Sequence, residues 1–209
     1  MTRHWRIALA IFCCVVAGLL AAQVVLHGPV LAVDHTVTFW WAAHRQPWLT
    51  RCMLLVSEMH ETVPLLLLTG VLMAWRAREG DKRGVRCLLA VPAAMLLNIA
   101  LKDSFQRARP VLTDPLVRLG TYSFPSGHAV ASTVFYGMLC AIVFARTRSR
   151  RIRAAVATLA CVMVPLVAFS RVYLGAHFMS DVLAGIAVGT LCVLLFSRWL
   201  GPAPVKEVP

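Results

Sequence analysis

The sequence predicts an all-α, polytopic membrane protein, a bundle of six transmembrane helices with both termini in the cytoplasm. Three observations carry that expectation. The chain has 209 residues, 59% of them hydrophobic, and its mean hydropathy of +0.74 is too apolar for an ordinary soluble domain. The apolar residues fall into six runs, on the scale of the ~20 residues that cross a bilayer core. The cations cluster in the short connections between those runs, so the net charge of +12 is topological rather than the footprint of a nucleic-acid partner.

The first run, Ile7 to Leu26, is interrupted only by Gln23. Its basic start resembles a secretory signal, but the run is long enough to span and lacks a clear small-residue cleavage site, so an uncleaved anchor is expected. Asp34 to Leu49 follows, with Phe39, Trp40, Trp41 and Trp48, a composition suited to the headgroup level. It is either a loop resting on the bilayer or a lid. The second span is Met53 to Trp75. Glu58, His60 and Glu61 either line a functional cavity in its outer half or precede a helix that begins near Thr62. The remaining spans are Cys87 to Leu101 running on toward Phe105, Ala129 to Ala145, Ala154 to Ser170, and Phe178 to Ser197. Asn98, Pro165, Gly185 and Gly189 lie within spans, which neighbouring helices make tolerable. Gly201 to Pro209 reads as a loose tail. With no repeat, low-complexity tract or linker, residues 1–209 are expected to form one membrane-embedded domain.

Arg76, Arg78, Lys82, Arg83 and Arg86 connect spans two and three, and Arg146, Arg148, Arg150, Arg151 and Arg153 connect spans four and five. The positive-inside rule places these in the cytoplasm. Lys102 to His128 and Arg171 to His177 then share the opposite face. Of the seven cysteines, six sit inside spans and none makes a C-x-x-C or zinc spacing, so neither a metal nor a structural disulfide is expected.

The chemistry sits at that opposite face. His177 and Asp181 are four apart, hence on one face of a helix starting there. A carboxylate that takes the proton of one imidazole nitrogen leaves the other nitrogen as a nucleophile. Taken alone, the pair has a lesser reading as a structural hydrogen bond at a helix start; Arg171 beside it argues for chemistry. Pro125-Ser126-Gly127-His128 precedes the fourth apolar run, where backbone N–H groups at a helix N-terminus favour an anion. A turn and an N-cap explain the Pro, Ser and Gly, but not His128, which suits a general acid. Lys102, Arg109 and Arg171 each read alone more readily as an interfacial cation, but arriving with two histidines they supply the positive charge that phosphoryl transfer requires. Arg107 lies in the same loop, contacting substrate or solvent, and is left outside the core set.

Lys102 with Arg109-Pro110 after six intervening residues, Pro125-Ser126-Gly127-His128, and Ser170-Arg171 with His177 after five and Asp181 four further on follow one another in that order. They closely resemble the three-part signature of the type 2 phosphatidic acid phosphatase superfamily, at every motif position across residues 102–181. The family includes membrane lipid phosphatases, soluble acid phosphatases and vanadate haloperoxidases. The resemblance implies that His177 is the nucleophile, that Asp181 orients it, and that His128 protonates the leaving group. It also implies that Lys102, Arg109, Ser126, Gly127 and Arg171 hold the phosphate, that water hydrolyses a phosphohistidine, and that no cofactor is needed. The expected substrate is a lipid phosphate: phosphatidylglycerol phosphate, phosphatidic acid, undecaprenyl diphosphate or a lipid A phosphate. A phosphotransferase would present the same cradle. A transporter should instead show midplane sites or repeated halves, and a haloperoxidase fits six spans poorly. Membrane lipid and substrate are the only partners implied.

Overall fold

A computed structural model describes residues 3–117 and 119–200, and all regular structure among them is helical. The helices are α1 (Arg3–Val25), α2 (Val30–Ala43), α3 (Pro47–Met59), α4 (Thr62–Arg78), α5 (Lys82–Leu88), α6 (Ala90–Phe105), α7 (Gly127–Arg146), α8 (Arg150–Tyr173) and α9 (Met179–Phe196), with a 3-10 turn at Ser197–Leu200. Five stretches are each long and apolar enough to cross a membrane: α1, α5 running into α6, α7, α8, and α9 with its turn. The α3–α4 pair passes the same test jointly and makes a sixth if counted as one span. The tail from Gly201 to Pro209 lies outside the described residues.

The second span is not one straight rod. It breaks at His60 and Glu61 with a bend of 50°. Pro64 has no N–H for the His60 carbonyl, and its ring collides with that carbonyl in a continuous helix. His60 adds a second cause: its Nδ1 lies 2.8 Å from the Val56 carbonyl, while its backbone N–H turns to Ser57 instead. The break separates the three polar residues at this level. His60 is buried, whereas Glu58 and Glu61 remain exposed.

The aromatic segment after α1 is the helix α2. Phe39 and Trp40 are exposed on it, as is Trp48 at the start of α3, while Asp34 and Thr38 are buried on the inner side of α2. Pro47 opens α3 at a position where its missing N–H costs nothing.

α7 packs against α4, α5, α6, α8 and α9. Val91 and Ala94 of α6 meet Val130, Val134 and Met138 of α7 in the main core. The approach of α7 to α9 depends on two glycines. A Cβ on Gly185 would lie 2.8 Å from the Ser126 carbonyl oxygen and 2.9 Å from the Ala129 Cβ, and one on Gly189 would lie 2.7 Å from the Thr133 Cβ. Small residues let membrane helices close to backbone contact. Here the contact is fixed by a hydrogen bond of 3.0 Å from the Ser126 N–H to the Asp181 carbonyl.

The two ends of the bundle differ in chemistry. At one end Asp81 accepts from Arg146 at 2.5 Å and from Arg76 at 2.6 Å, and caps α5 through the Gly84 N–H at 2.9 Å. The Arg146 guanidinium, joined by Arg76 and that N–H, holds the Asp81 carboxyl well below the usual carboxylate range. Arg6 reaches the Leu194 carbonyl at 2.6 Å at this same end, so both described ends of the chain meet beside the basic connections. The last turns of α6 and α8 and the first turns of α7 and α9 gather at the other.

Gly185→Ala is expected to destabilise the protein by about 1–3 kcal/mol, because the clash is with backbone rather than with a flexible side chain. Gly70→Ala, where nothing lies within 4 Å, is the control. Thermal melts in detergent check the pair, and equal midpoints would show slack between α7 and α9.

Candidate active site

Gln106 ends α6 in the left-handed region with φ 47°, and the chain then crosses the end of the bundle before re-entering at Ser126. This crossing carries Arg109 and a short stretch of carbonyls at 121–123. Lys102, in the last turn of α6, donates to the carbonyl of Tyr122 and lies 3.4 Å from that of Ser123. Arg109 donates to the carbonyls of Thr121 at 2.6 Å, Ala176 at 2.7 Å and Tyr122 at 3.1 Å. Both cations are thus hydrogen-bonded to backbone oxygens rather than salt-bridged to a carboxylate.

Arg171 is 1% exposed in the last turn of α8. Its Nη1 donates to the Ser57 hydroxyl of α3, while Nε and Nη2 have no partner. Ser126 is the N-cap of α7, and its Oγ is buried without a partner. Gly127 opens the helix, where a Cβ would lie 3.0 Å from the Asn98 Oδ1. His128 follows with an unpartnered Nε2. Among the described residues, nine buried side-chain polar atoms have no hydrogen-bond partner, and four of these belong to Ser126, His128 and Arg171. Buried donors are almost always paired, so this concentration marks a place built for an acceptor from outside the chain.

His177 lies between α8 and α9 and is 2% exposed. Burial pushes its imidazole down to about 3, and the Asp181 carboxylate only partly opposes that effect. Nδ1 faces Asp181 Oδ2 at 3.4 Å, so the proton of the neutral ring belongs on Nδ1. The lone pair is then on Nε2, and Arg109 Nη1 lies 3.1 Å from it. Asp181 reaches back to cap its own helix at the Phe178 N–H, 2.9 Å away. The same oxygen accepts from the Ser123 hydroxyl.

A cavity of about 250 Å³ opens beside this set. Lys102, Arg109, Gly127, His128 and His177 line one part of it; His60, Thr62, Asn98, Met95, Ile99 and Leu119 line the rest. Ser126, Arg171 and Asp181 stand behind the lining. All eight residues singled out by the sequence therefore converge on one end of the bundle. Among the described residues, no group of three His, Cys, Asp or Glu is placed to hold a metal ion.

Sequence reasoning left out four neighbours. Ser57 engages Arg171, Ser123 shares Asp181 with His177, and Arg107 pairs with both Asp181 and Asp34. Asp34 had a legible signal, as a lone carboxylate in an otherwise apolar helix needs a buried cation. Ser57 and Ser123 had none.

Unpaired cationic and hydroxyl donors have a tetrahedral oxyanion as their complement, and a neutral imidazole backed by a carboxylate supplies a nucleophile. The fold and this end of the bundle together define a polytopic membrane phosphatase. The chain belongs to the PAP2 superfamily, whose family model matches residues 83–203. It is 31% identical over 181 residues to phosphatidylglycerophosphatase B of Bacillus subtilis (strain 168), covering 85% of this chain and 88% of that one. It is 33% identical over 128 residues to the decaprenylphosphoryl-5-phosphoribose phosphatase of Mycobacterium tuberculosis, covering 60% and 63%. The crystal structure of a transmembrane PAP2-type phosphatidylglycerolphosphate phosphatase from Bacillus subtilis superposes with a TM-score of 0.75 at 30% identity, over 92% of this chain and 94% of that one.

A histidine kept neutral by burial makes the fold acid-sensitive. Below its ordinary value near 6.5 the unfolded chain binds a proton that the folded one refuses until about 3, so stability is complete above that window and falls through it. Acidification from about pH 7 to about pH 5 is expected to cost roughly 2 kcal/mol through this group, with the loss reduced in His177→Gln. Equal losses in melts of the two proteins would assign the effect elsewhere.

Proposed function

We propose that this protein hydrolyses a lipid phosphate through a phosphohistidine on His177, and that phosphatidylglycerol phosphate is its first-ranked substrate. The observation that carries the reading is the group of unpaired buried donors on Ser126, His128 and Arg171 beside a neutral His177. The ranking of substrate rests on similarity over most of the chain to Bacillus subtilis proteins named for that lipid. Phosphatidic acid, undecaprenyl diphosphate and a lipid A phosphate are the competitors.

In this mechanism, the substrate phosphate enters the cradle of Lys102, Arg109, Ser126, Gly127 and Arg171. The cations and the α7 N-terminus spread over its oxygens. Arg109 exchanges its contact with His177 for a phosphate oxygen, which frees the Nε2 lone pair. Nε2 forms a bond to phosphorus while the bond to the alcohol oxygen breaks, and His128 gives that oxygen a proton. Asp181 accepts the Nδ1 hydrogen bond and offsets the positive charge on the ring. Water then enters where the alcohol left, and His128 takes its proton. The phosphorus–nitrogen bond returns its electron pair to Nε2, and inorganic phosphate departs. Every donor in this scheme is an N–H or O–H of the chain, so activity is expected to survive a chelator.

The apolar side chains of Met95, Ile99 and Leu119 across the cavity suit the carbons next to a lipid headgroup. The cationic connections at the opposite end argue that both termini are cytoplasmic and that the site faces outward from the cell membrane. Residues 1–209 work as one unit in this reading.

Phosphate release by purified protein in detergent with chelator, across those four lipids, tests the proposal. Wild type should turn over at least one, phosphatidylglycerol phosphate fastest, and His177→Ala should lose about a thousandfold or more. Activity retained in His177→Ala would exclude the phosphohistidine. No release from any lipid by wild type in native-like bilayers would exclude hydrolysis.

A further inference from the structure

Arg107 takes no part in the steps above, and it does not line the catalytic cavity; it faces a separate space beside α1 and α2. Its guanidinium is nonetheless committed on two sides. Nη1 donates to Asp181 Oδ1 at 2.5 Å and to the Ser180 hydroxyl at 2.7 Å, and Nη2 donates to Asp34 Oδ2 at 2.7 Å. Its Cζ lies over the Phe178 ring, 4.3 Å from the centroid. Asp34 in turn accepts from the Ser180 N–H at 2.9 Å and from the Ser180 hydroxyl.

We propose, resting on the phosphatase reading, that Arg107 is a positioning residue for the reaction: with Asp34 of α2 it fixes the Asp181 carboxylate in the orientation His177 needs. The division of the carboxylate supports this. Oδ2 serves the Phe178 N–H, the Ser123 hydroxyl and His177, while Oδ1 has Arg107. With Oδ1 released, the carboxylate can rotate and carry Oδ2 away from a His177 contact that is already 3.4 Å long. Asp181 and Asp34 are 0% and 1% exposed, and two carboxylates so deeply buried require a shared cation. A guanidinium fork meets both in fixed geometry, whereas an ammonium has no such fork. Asp34 and Arg107 also clamp the first turn of α9 next to His177, which makes α2 part of the active-site assembly.

The charged and titratable groups around the His177–Asp181 pair are Lys102 from α6, Arg107 and Arg109 from the crossing loop, His128 from α7 and Arg171 from α8. Asp34 from α2 joins them through Arg107. Removing Arg107 leaves Asp181 less compensated, so both members of the pair hold protons more readily. Removing the charge of Asp34 gives Arg107 to Asp181 alone, with the opposite effect.

Kinetics of the full-length protein on phosphatidylglycerol phosphate in detergent, as wild type, Arg107→Gln, Arg107→Lys and Asp34→Asn, test the proposal. Arg107→Gln should lower kcat by about 10- to 100-fold, on the scale of losing a hydrogen-bonded partner that orients a metal-ligating side chain. KM should stay within about twofold, and the acid limb of the pH profile should move up. Asp34→Asn should move that limb down, and Arg107→Lys should recover part of kcat. A raised KM with unchanged kcat would mean that Arg107 binds substrate. Loss of fold in every variant, or lower melting points with no limb movement, would reduce the network to architecture.

The imidazole nitrogen-15 spectrum provides a readout that needs no substrate. His177 should carry its proton on Nδ1 in wild type and mix tautomers in Arg107→Gln; identical spectra would overturn the proposal. An inactive wild type showing that change would sink the phosphatase reading and leave the positioning role standing.

Discussion

One carboxylate organises the catalytic end of this protein. Asp181 caps the helix it belongs to, accepts from Ser123 of the crossing loop, faces His177 and pairs with Arg107. Its backbone carbonyl also receives the N–H of Ser126, which ties α9 to α7. A buried anion is tolerable only with such a complement of donors. Meeting that requirement draws α2, α7, α9 and the loop to one point. The placement of His177 and the seating of Ser126 at the start of α7 therefore share a single electrostatic cause.

The membrane imposes the remaining geometry. Apolar faces of α1, α4 and α8 point outward, with Leu19, Leu67 and Val162 well exposed, while α7 is enclosed by its neighbours. Charged side chains are thereby gathered at the two ends, and the ends are not equivalent. Asp81 neutralises Arg76 and Arg146 at one of them. At the other, Lys102 and Arg109 are met by carbonyls and Arg171 by a hydroxyl. Carboxylates thus quench the cations at the first end, whereas at the second Asp34 and Asp181 pair with Arg107 and leave Lys102, Arg109 and Arg171 outside any salt bridge among the described residues.

Much of this was legible in the chain. Six apolar runs and the placement of basic connections anticipate the bundle and the gathering of Lys102, Arg109, Ser126, Gly127, His128, Arg171, His177 and Asp181 at one end. What escaped has identifiable physics. A helix beginning near Thr62 is one of the two readings the sequence allows and is where α4 starts, but the bend that joins it to α3 is not legible, because Pro64 acts on the His60 carbonyl four residues earlier inside a run that hydropathy alone reads as continuous. Asp34 sits in a segment whose tryptophans suggest an interfacial surface, and its partner Arg107 is 73 positions away. Ser57 and Ser123 are ordinary in sequence. Only the approach of α3 to α8, and of the crossing loop to α9, turns them into partners of Arg171 and Asp181.

The donors that the protein leaves unpaired on Ser126, His128 and Arg171 have a physiological corollary under the proposed role. They present donors to a phosphoryl group whatever carries it, so free inorganic phosphate would compete with a headgroup for them. Turnover would then be tied to the phosphate concentration of the compartment onto which the site opens.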